Sequence, residues 1–307
     1  MIEAITYKKG VRHVDLSNIN LSKNSYLIYL HNPDMNEIKS VSDLTKVYMS
    51  DIKKCLDRGG IPRVEARDNY LLIIFRAVHV EGNKTTPFGV ALGKKFIVLV
   101  HADEIKPINN LVKDVDIKLF SRGGEEIVYK IFSDAMRDFS GNLEKCEESV
   151  DDLEKNVLKL QEQILMNKMF SIKKSLVYYR KALLRNRDVL SSLQNVQPQF
   201  IKKKGLFNPL LVESMQLIDF EELIKDRLTA LLEINVFNAS NRLNEIIKSF
   251  TVIASILLMP LLISGIYGMN FKILPLADHP YGFYIILGAM LGSVVLTYLF
   301  FKLRKWI

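Results

Sequence analysis

The sequence predicts two unlike parts in one chain: an α/β domain followed by a long helical stalk, then two C-terminal membrane-spanning helices. Three observations carry that expectation. Of 42 Lys/Arg and 34 Asp/Glu, residues 249–307 hold only Lys272, Lys302, Arg304, Lys305 and Asp278, which leaves 38 basic and 33 acidic residues in residues 1–248. Two runs near the C-terminal end, 249–267 and 281–301, contain no charged residue at all. The stretch before them lacks proline over residues 210–259, and its apolar residues recur among charged ones, as a packed stalk helix requires. With 49% hydrophobic residues and a mean hydropathy of +0.10, the chain is neither disordered nor wholly embedded in lipid. The uneven distribution excludes a single soluble globule.

Residues 1–122 read as mixed α/β. Strands are expected at 12–16, 26–29, 63–65, 70–79 and 90–101, the last with a turn at Gly93; the last two are rich in Val, Ile, Leu and Phe. One helix is expected over 41–56, with Ser42 as its N-cap. The segment contains no phosphate-binding loop, nucleophile elbow or metal-ligand cluster. Two cysteines, Cys55 and Cys146, provide no disulfide framework and point to a reducing compartment. The opening MIEAITYKKG has no apolar core of a signal peptide. An enzymatic role is not expected, because no catalytic constellation is present.

Residues 123–248 read as long helices. Amphipathic segments run over 125–165 and 168–195. The first carries six acids in residues 144–154, and the second is basic, with Lys173, Lys174, Arg180, Lys181, Arg185 and Arg187. The expected arrangement is a solvated helical hairpin held by salt bridges between these two helices; an acidic surface that concentrates cations is the sharper alternative. The net charge of residues 1–248, +5, comes without stacking aromatics or a reading motif, so nucleic acid is not expected as a partner. Asn208-Pro209 begins the stalk, Asn as N-cap and Pro at the first helical position. A continuous helix from there to about residue 270 would be about 90 Å long.

Residues 249–307 read as a membrane hairpin: a first span at 249–267, an outer loop at 268–280, a second span at 281–301 and a basic tail at 302–307. Nineteen helical residues cover about 28 Å, close to the bilayer core. Pro260 would damage a soluble helix but is tolerated between packed membrane helices. Arg242 and Lys248 precede the first span, and Lys302, Arg304 and Lys305 follow the second. The positive-inside rule therefore puts both termini in the cytoplasm and the loop outside. Two spans cannot enclose a polar path, so transport needs several copies around an axis.

The first span ends in Ile266-Tyr267-Gly268-Met269-Asn270-Phe271. Gly-Met-Asn at the outer end of the penultimate helix, followed by a short loop, a final helix and a basic tail, resembles the CorA family of divalent-cation transporters. The resemblance extends over FSIKKSLVYYRKALLRNRDVL (170–190), NRLNEIIKSFTVI (241–253), Met259-Pro260 and Lys305-Trp306. It implies a funnel-shaped homopentamer in the cell membrane, with five first spans lining a pore for Mg²⁺, or also for cobalt and nickel. It further implies Gly268, Met269 and Asn270 as a selectivity filter. Five carboxamides can hydrogen-bond to the waters of an ion that dehydrates reluctantly, and an uncharged ring does not trap it. For Asn270 a left-handed helix C-cap is the structural alternative, and for Tyr267 an interfacial aromatic.

Counting by threes and fours from Asn270 towards the N-terminus gives an axis face of Gly265 or Ile266, Leu261, Leu258, Ala254, Thr251, Ile247, Asn244, Ser240 and Glu233. Polar rings at Glu233, Asn244 and Thr251 then alternate with apolar constrictions at Ile247 and Leu258, which can close a pore by dewetting. The Met-Pro pair lies one residue further from the motif than the family pattern, which leaves open whether Leu258 or Met259 faces the axis. Lys272 stands where the family has an acid, and Asp278 is the loop's one carboxylate. No cofactor is expected to be tightly bound; the resemblance implies Mg²⁺ as cargo and as a cytoplasmic regulator bound between protomers. Asp57, Glu213 and Asp219 are the candidate ligands, with exposed surface acids as the plain alternative. Two other readings stay open: a zinc or cobalt transporter of the same architecture, and a membrane-anchored sensor or scaffold without a pore.

Overall fold

The computed structural model describes residues 2–6, 12–14, 19, 21, 24–113, 122–157, 162–196, 199–203, 205–270, 274–276 and 278–306. The chain forms two compact units, Met1–Leu231 and Leu232–Ile307. In the first, strands β1 (Ile2–Thr6), β2 (Arg12–Val14), β3 (Tyr26–His31), β4 (Arg63–Ala66), β5 (Tyr70–Val78), β6 (Thr85–Gly93) and β7 (Phe96–His101) make one sheet in the order β2-β1-β3-β7-β6-β5-β4. The pairings are antiparallel except β3 with β7, which run parallel from Tyr26↔Phe96 to His31↔His101. The apolar run of β5 is buried on both faces because helices cover both sides of the sheet.

Helices α1 (Met35–Thr45) and α2 (Met49–Leu56) pack on one face, where Ile38, Val41, Val47, Ile52 and Cys55 meet Ile28, Tyr70, Leu72, Ile74 and Val98. Helices α3 (Lys106–Lys113), α4 (Gly124–Asn156) and α5 (Glu162–Leu193) complete the unit together with the start of α6 (Asn208–Tyr267). Phe75 of β5 stacks on Phe132 of α4 at 4.2 Å, and Phe132 lies 6.2 Å from Phe207 at the entry to α6. Asn186 of α5, fully buried, accepts from the Arg76 amide at 3.0 Å and donates to its carbonyl at 2.8 Å, which fixes α5 against β5.

Several elements differ from the sequence expectation. The single helix over 41–56 is two helices. Asp34, not Ser42, is the N-cap of α1: its carboxylate accepts from the Glu37 amide at 2.8 Å, and Glu37 accepts from the Asp34 amide at 2.9 Å. Lys46 then turns left-handed (φ 62°) and ends α1. The segment 90–101 is a hairpin whose first strand starts at Thr85 and whose turn is Lys94-Lys95. Strand β1 and helix α3 are not expected from local pattern. The first hairpin helix ends at Asn156 and the second begins at Glu162, each earlier than expected; residues 158–161 lie outside the described residues.

In the first turn of α2 sits a buried charge. The Asp51 carboxylate accepts from Arg67 (2.9 and 3.1 Å), Lys54 (2.8 Å) and the Tyr70 hydroxyl (2.7 Å). Burial pushes this carboxyl up, but the hydrogen bonds from Arg67, Lys54 and Tyr70 outweigh burial and hold it at about 2. A carboxyl depressed on folding stabilises the fold above its unfolded pKa near 3.8, and that contribution is lost as pH falls from there towards 2. Asp51→Ala removes the acceptor of the buried Tyr70 hydroxyl and one of the two carboxylates paired with Arg67, which keeps Glu65, and is expected to cost about 1–3 kcal/mol. Thermal unfolding of the full chain in detergent at neutral pH reads the loss, and the variant should also lack the wild type's added sensitivity between pH 4 and pH 2.

In the second unit, the remainder of the 60-residue helix α6 is continuous through Pro260 and stops at Tyr267. Helix α7 (Gly282–Leu303) follows, longer at its C-terminal end than the 281–301 expected from sequence. Both are long and apolar enough to cross a membrane, and only 6% and 0% of their most apolar windows are buried, which excludes the core helix of a soluble protein.

Candidate functional site

At 3.6 residues per turn, Glu233, Asn244, Ile247, Thr251 and Leu258 of α6 share one face, within about 60° of one another. All five are exposed in the single chain; Ile247 is 61% and Leu258 60% exposed. The covered positions of the same helix, Lys248, Val252, Ile256, Pro260, Ile263 and Tyr267, recur by threes and fours on another face, with the half-covered Ser255 at its margin. That second face meets the rest of the unit. The Lys248 ammonium lies 5.7 Å from the Trp306 ring and 3.5 Å from the Lys305 carbonyl, and the Tyr267 hydroxyl donates to the Pro275 carbonyl at 2.9 Å. Leu258 points away from this covered face, whereas Met259, one residue on, is turned about 100° towards its edge. Both side chains are exposed in the single chain, Leu258 at 60% and Met259 at 48%.

The exposed face is uncharged from Asn244 through Leu258. The Thr251 hydroxyl donates to the Ile247 carbonyl at 2.8 Å, so it presents its remaining acceptor capacity outward. At the end of the helix the Gly268 amide donates to Ser264 O (2.9 Å) and the Met269 amide to Ile266 O (3.2 Å). Gly268, Met269 and Asn270 are all exposed, outside the helix, on a turn that the Tyr267–Pro275 bond ties to the loop. The helix ends three residues before the expected residue 270. Asn270 does not take the left-handed conformation of a C-cap, so its side chain is not committed to that role. Lys272 lies outside the described residues. Asp278 is exposed.

The acids and bases of the helical hairpin do not pair mainly with each other. Arg227 of α6 gathers Glu147 (3.5 Å), Asp151 and Glu154 (2.8 Å) of α4. Arg180 of α5 holds the buried Glu221 of α6 at 2.7 Å and Glu222 at 3.3 Å. The salt bridges expected between the two hairpin helices instead run from each of them to α6, because the helix alongside both is α6. Burial keeps the Glu221 carboxyl above its ordinary range against the pull of Arg180.

The three candidate regulatory acids occupy separate places. Asp57 caps α2 and accepts from the Gly59 amide at 3.0 Å. Glu213 is half-buried, its carboxyl pushed up by burial against the opposing charge of Arg137, and Asp219 is exposed. Among the described residues no three His, Cys, Asp or Glu side chains of one chain gather to hold a metal ion. The sequence does not mark Lys248, Tyr267 and Trp306, which order the membrane unit, as a contact set; Trp306 beside a basic tail is the one signal it carries.

The family described as "CorA-like Mg2+ transporter protein" matches residues 23–303. The chain is 31% identical over 284 residues to the cobalt/magnesium transport protein CorA of Methanocaldococcus jannaschii, covering 90% of each. It is 25% identical over 287 residues to the protein of the same description from Thermotoga maritima, covering 91% of this chain and 81% of that one. The solved structure of the complete CorA magnesium transporter from M. jannaschii superposes with a TM-score of 0.92 at 29% identity, over 100% of this chain and 99% of that one.

Proposed function

The chain belongs to the CorA-like Mg²⁺ transporter family, and from that premise we propose that it is the subunit of a channel-like Mg²⁺ uptake system that also admits Co²⁺. Five copies enclose the path, in a cell membrane, with both termini in the cytoplasm. The observation that carries the reading is the bare, uncharged face of α6 from Asn244 to Leu258, turned away from its own second span and leading to Gly268-Met269-Asn270. Further copies of the same helix cover such a face and give it an axis. The ion stays hydrated at the Asn270 ring, passes apolar rings at Leu258 and Ile247, and leaves past Asn244 and Glu233. The filter and the apolar rings involve no bond making or breaking, so no enzymatic step is assigned.

The test is flux into proteoliposomes with Mg²⁺, Co²⁺, Ni²⁺ and Zn²⁺ under a clamped potential. The spans hold no ionisable relay, so entry follows the electrochemical gradient. A divalent ion gains about 4.6 kcal/mol per 100 mV inward. Mg²⁺ flux is expected to grow with inside-negative potential and to stop when the potential is zero and the gradient opposed; uptake that persists there refutes a passive path. Absence of flux for all four ions favours the pore-free scaffold.

Regulation follows from the same arrangement. Cytoplasmic Mg²⁺ bridges carboxylates of neighbouring subunits, and without it the acids repel. Glu213, half-buried on α6, is the member whose environment disfavours an unpaired charge. Neutralising Asp57, Glu213 and Asp219 together is expected to blunt inhibition by cytoplasmic Mg²⁺ and to remove Mg²⁺-dependent protection of α6 from protease. Full inhibition and full protection in the triple variant would assign the sensor elsewhere, first to the acids of residues 144–154.

A further inference from the structure

A groove of about 510 Å³ runs between α5 and α6 within the first unit. Its walls carry Lys173, Arg180, Lys181, Arg185, Arg187 and Lys225 against only two acids, Asp188 and Glu221. The pairing within it is uneven. Arg180 is spent on Glu221 and Glu222, and Lys225 has Glu222 at 3.5 Å. Arg187 and Arg185 share the single carboxylate of Asp188 at 3.0 and 3.9 Å. Lys173 and Lys181 make no ion pair among the described residues. Leu176, Val177 and Leu184 form the apolar part of the lining, and Val177 is 60% exposed.

With Lys173 and Lys181 outside these pairs and Arg185 and Arg187 sharing one acid, the recess carries an excess of positive charge, and a walled groove focuses its field. The volume falls in the range of small-molecule sites, not of a simple ion. Two arginine forks and two unpaired ammonium groups match several phosphate oxygens, the forks bidentately and the ammoniums as point charges. We propose that this groove binds a small polyphosphate anion, with Lys173, Lys181 and Arg185 as its principal partners. Two sources offer that chemistry, a nucleoside triphosphate and inorganic triphosphate. The exposed Val177 beside the cations gives an apolar surface on which a nucleoside can rest. Such a ligand bridges α5 to Lys225 of α6, the helix that continues into the membrane unit. The site itself does not depend on the transport reading.

The experiment measures binding of ATP, inorganic triphosphate, adenosine and sulfate to the full chain in detergent, at matched ionic strength and with EDTA present. ATP is expected to bind with a salt-dependent Kd, adenosine and sulfate not to bind, and the Lys173→Gln/Lys181→Gln/Arg185→Gln variant to lose at least tenfold in affinity. Inorganic triphosphate matching ATP supports the polyphosphate site with the inorganic source; ATP binding alone supports it with the nucleotide source. These substitutions leave the Arg180–Glu221 pair intact, and the variant's unfolding temperature and elution volume are read alongside. The proposal is overturned if neither polyphosphate binds at millimolar concentration, or if sulfate binds as well as they do. It is equally overturned if the variant keeps full affinity, or if the variant dissociates the oligomer, which would make the groove a subunit contact.

Discussion

Replacing Asn270 by alanine is expected to bring Mg²⁺ flux down to the background of empty liposomes while the oligomer keeps its elution volume. The side chain is exposed on the turn after α6 and is not used as a left-handed cap, and among the described residues no side-chain hydrogen bond holds it. On the proposed reading, what goes is the ring of carboxamide oxygens that would face the hydration shell of the ion. Each hydrogen bond near a charged group is worth about 1.5 kcal/mol, close to a tenfold factor, so losing one from each of five copies removes the site. Stopped-flow fluorescence with a Mg²⁺ dye inside liposomes reads it directly. Wild-type flux in the variant would remove Asn270 from the filter, and dissociation of the oligomer would make its role structural.

The second large effect is expected at Leu258. Serine there should wet the proposed apolar ring and raise resting Mg²⁺ flux, whereas the same change at Met259 should do much less. The reasoning is angular: Leu258 shares a face with Ile247 and Thr251, and Met259 turns towards the face that carries Val252 and Ile263. Dewetting depends on the residues that ring the axis, so only the first substitution hydrates the constriction. A larger leak from Met259→Ser would rotate the helix by about 100° and reassign the axis face. No leak from either would move the gate towards Ile247.

The parts of this architecture legible in sequence were those set by long runs. The strand at Tyr70–Val78 and the two apolar helices are signalled by many consecutive residues, and local deviations do not erase them. Gly-Met-Asn was legible through its position at the end of a span. The break at Lys46 was not, because a left-handed lysine looks like any helical lysine until Thr45 and Val47 are buried on their own terms. The capping pair Asp34 and Glu37 did carry a readable three-residue spacing, which the apolar period starting at Val41 masked. Strand β1 gains its identity from pairing with β3, twenty or more residues away, and no local window contains that. The partner choice of Arg227 and Arg180 is of the same kind: charge composition indicated salt bridges, but only the packing of three helices decides which helix receives them.

The α1–α2 layer also contains its own clock. A Cβ at position 89 would lie 2.0 Å from the Cys55 sulfur, so α2 rests directly on the β6 backbone there. The thiol is 1% exposed, donates to the Asp51 carbonyl at 3.1 Å, and is pushed up to about 12 by its burial. A reagent that attacks thiolates therefore reaches Cys55 only when α2 lifts from the sheet. At low reagent, the labelling rate at Cys55 equals the open fraction multiplied by the rate of the free thiol; at high reagent it levels off at the lifting rate itself. The half-buried Cys146 on α4 serves as the faster internal comparison. The α1–α2 layer thus reports its own breathing without any added probe, and the same trace taken with and without Mg²⁺ would tell whether the ion quiets that motion.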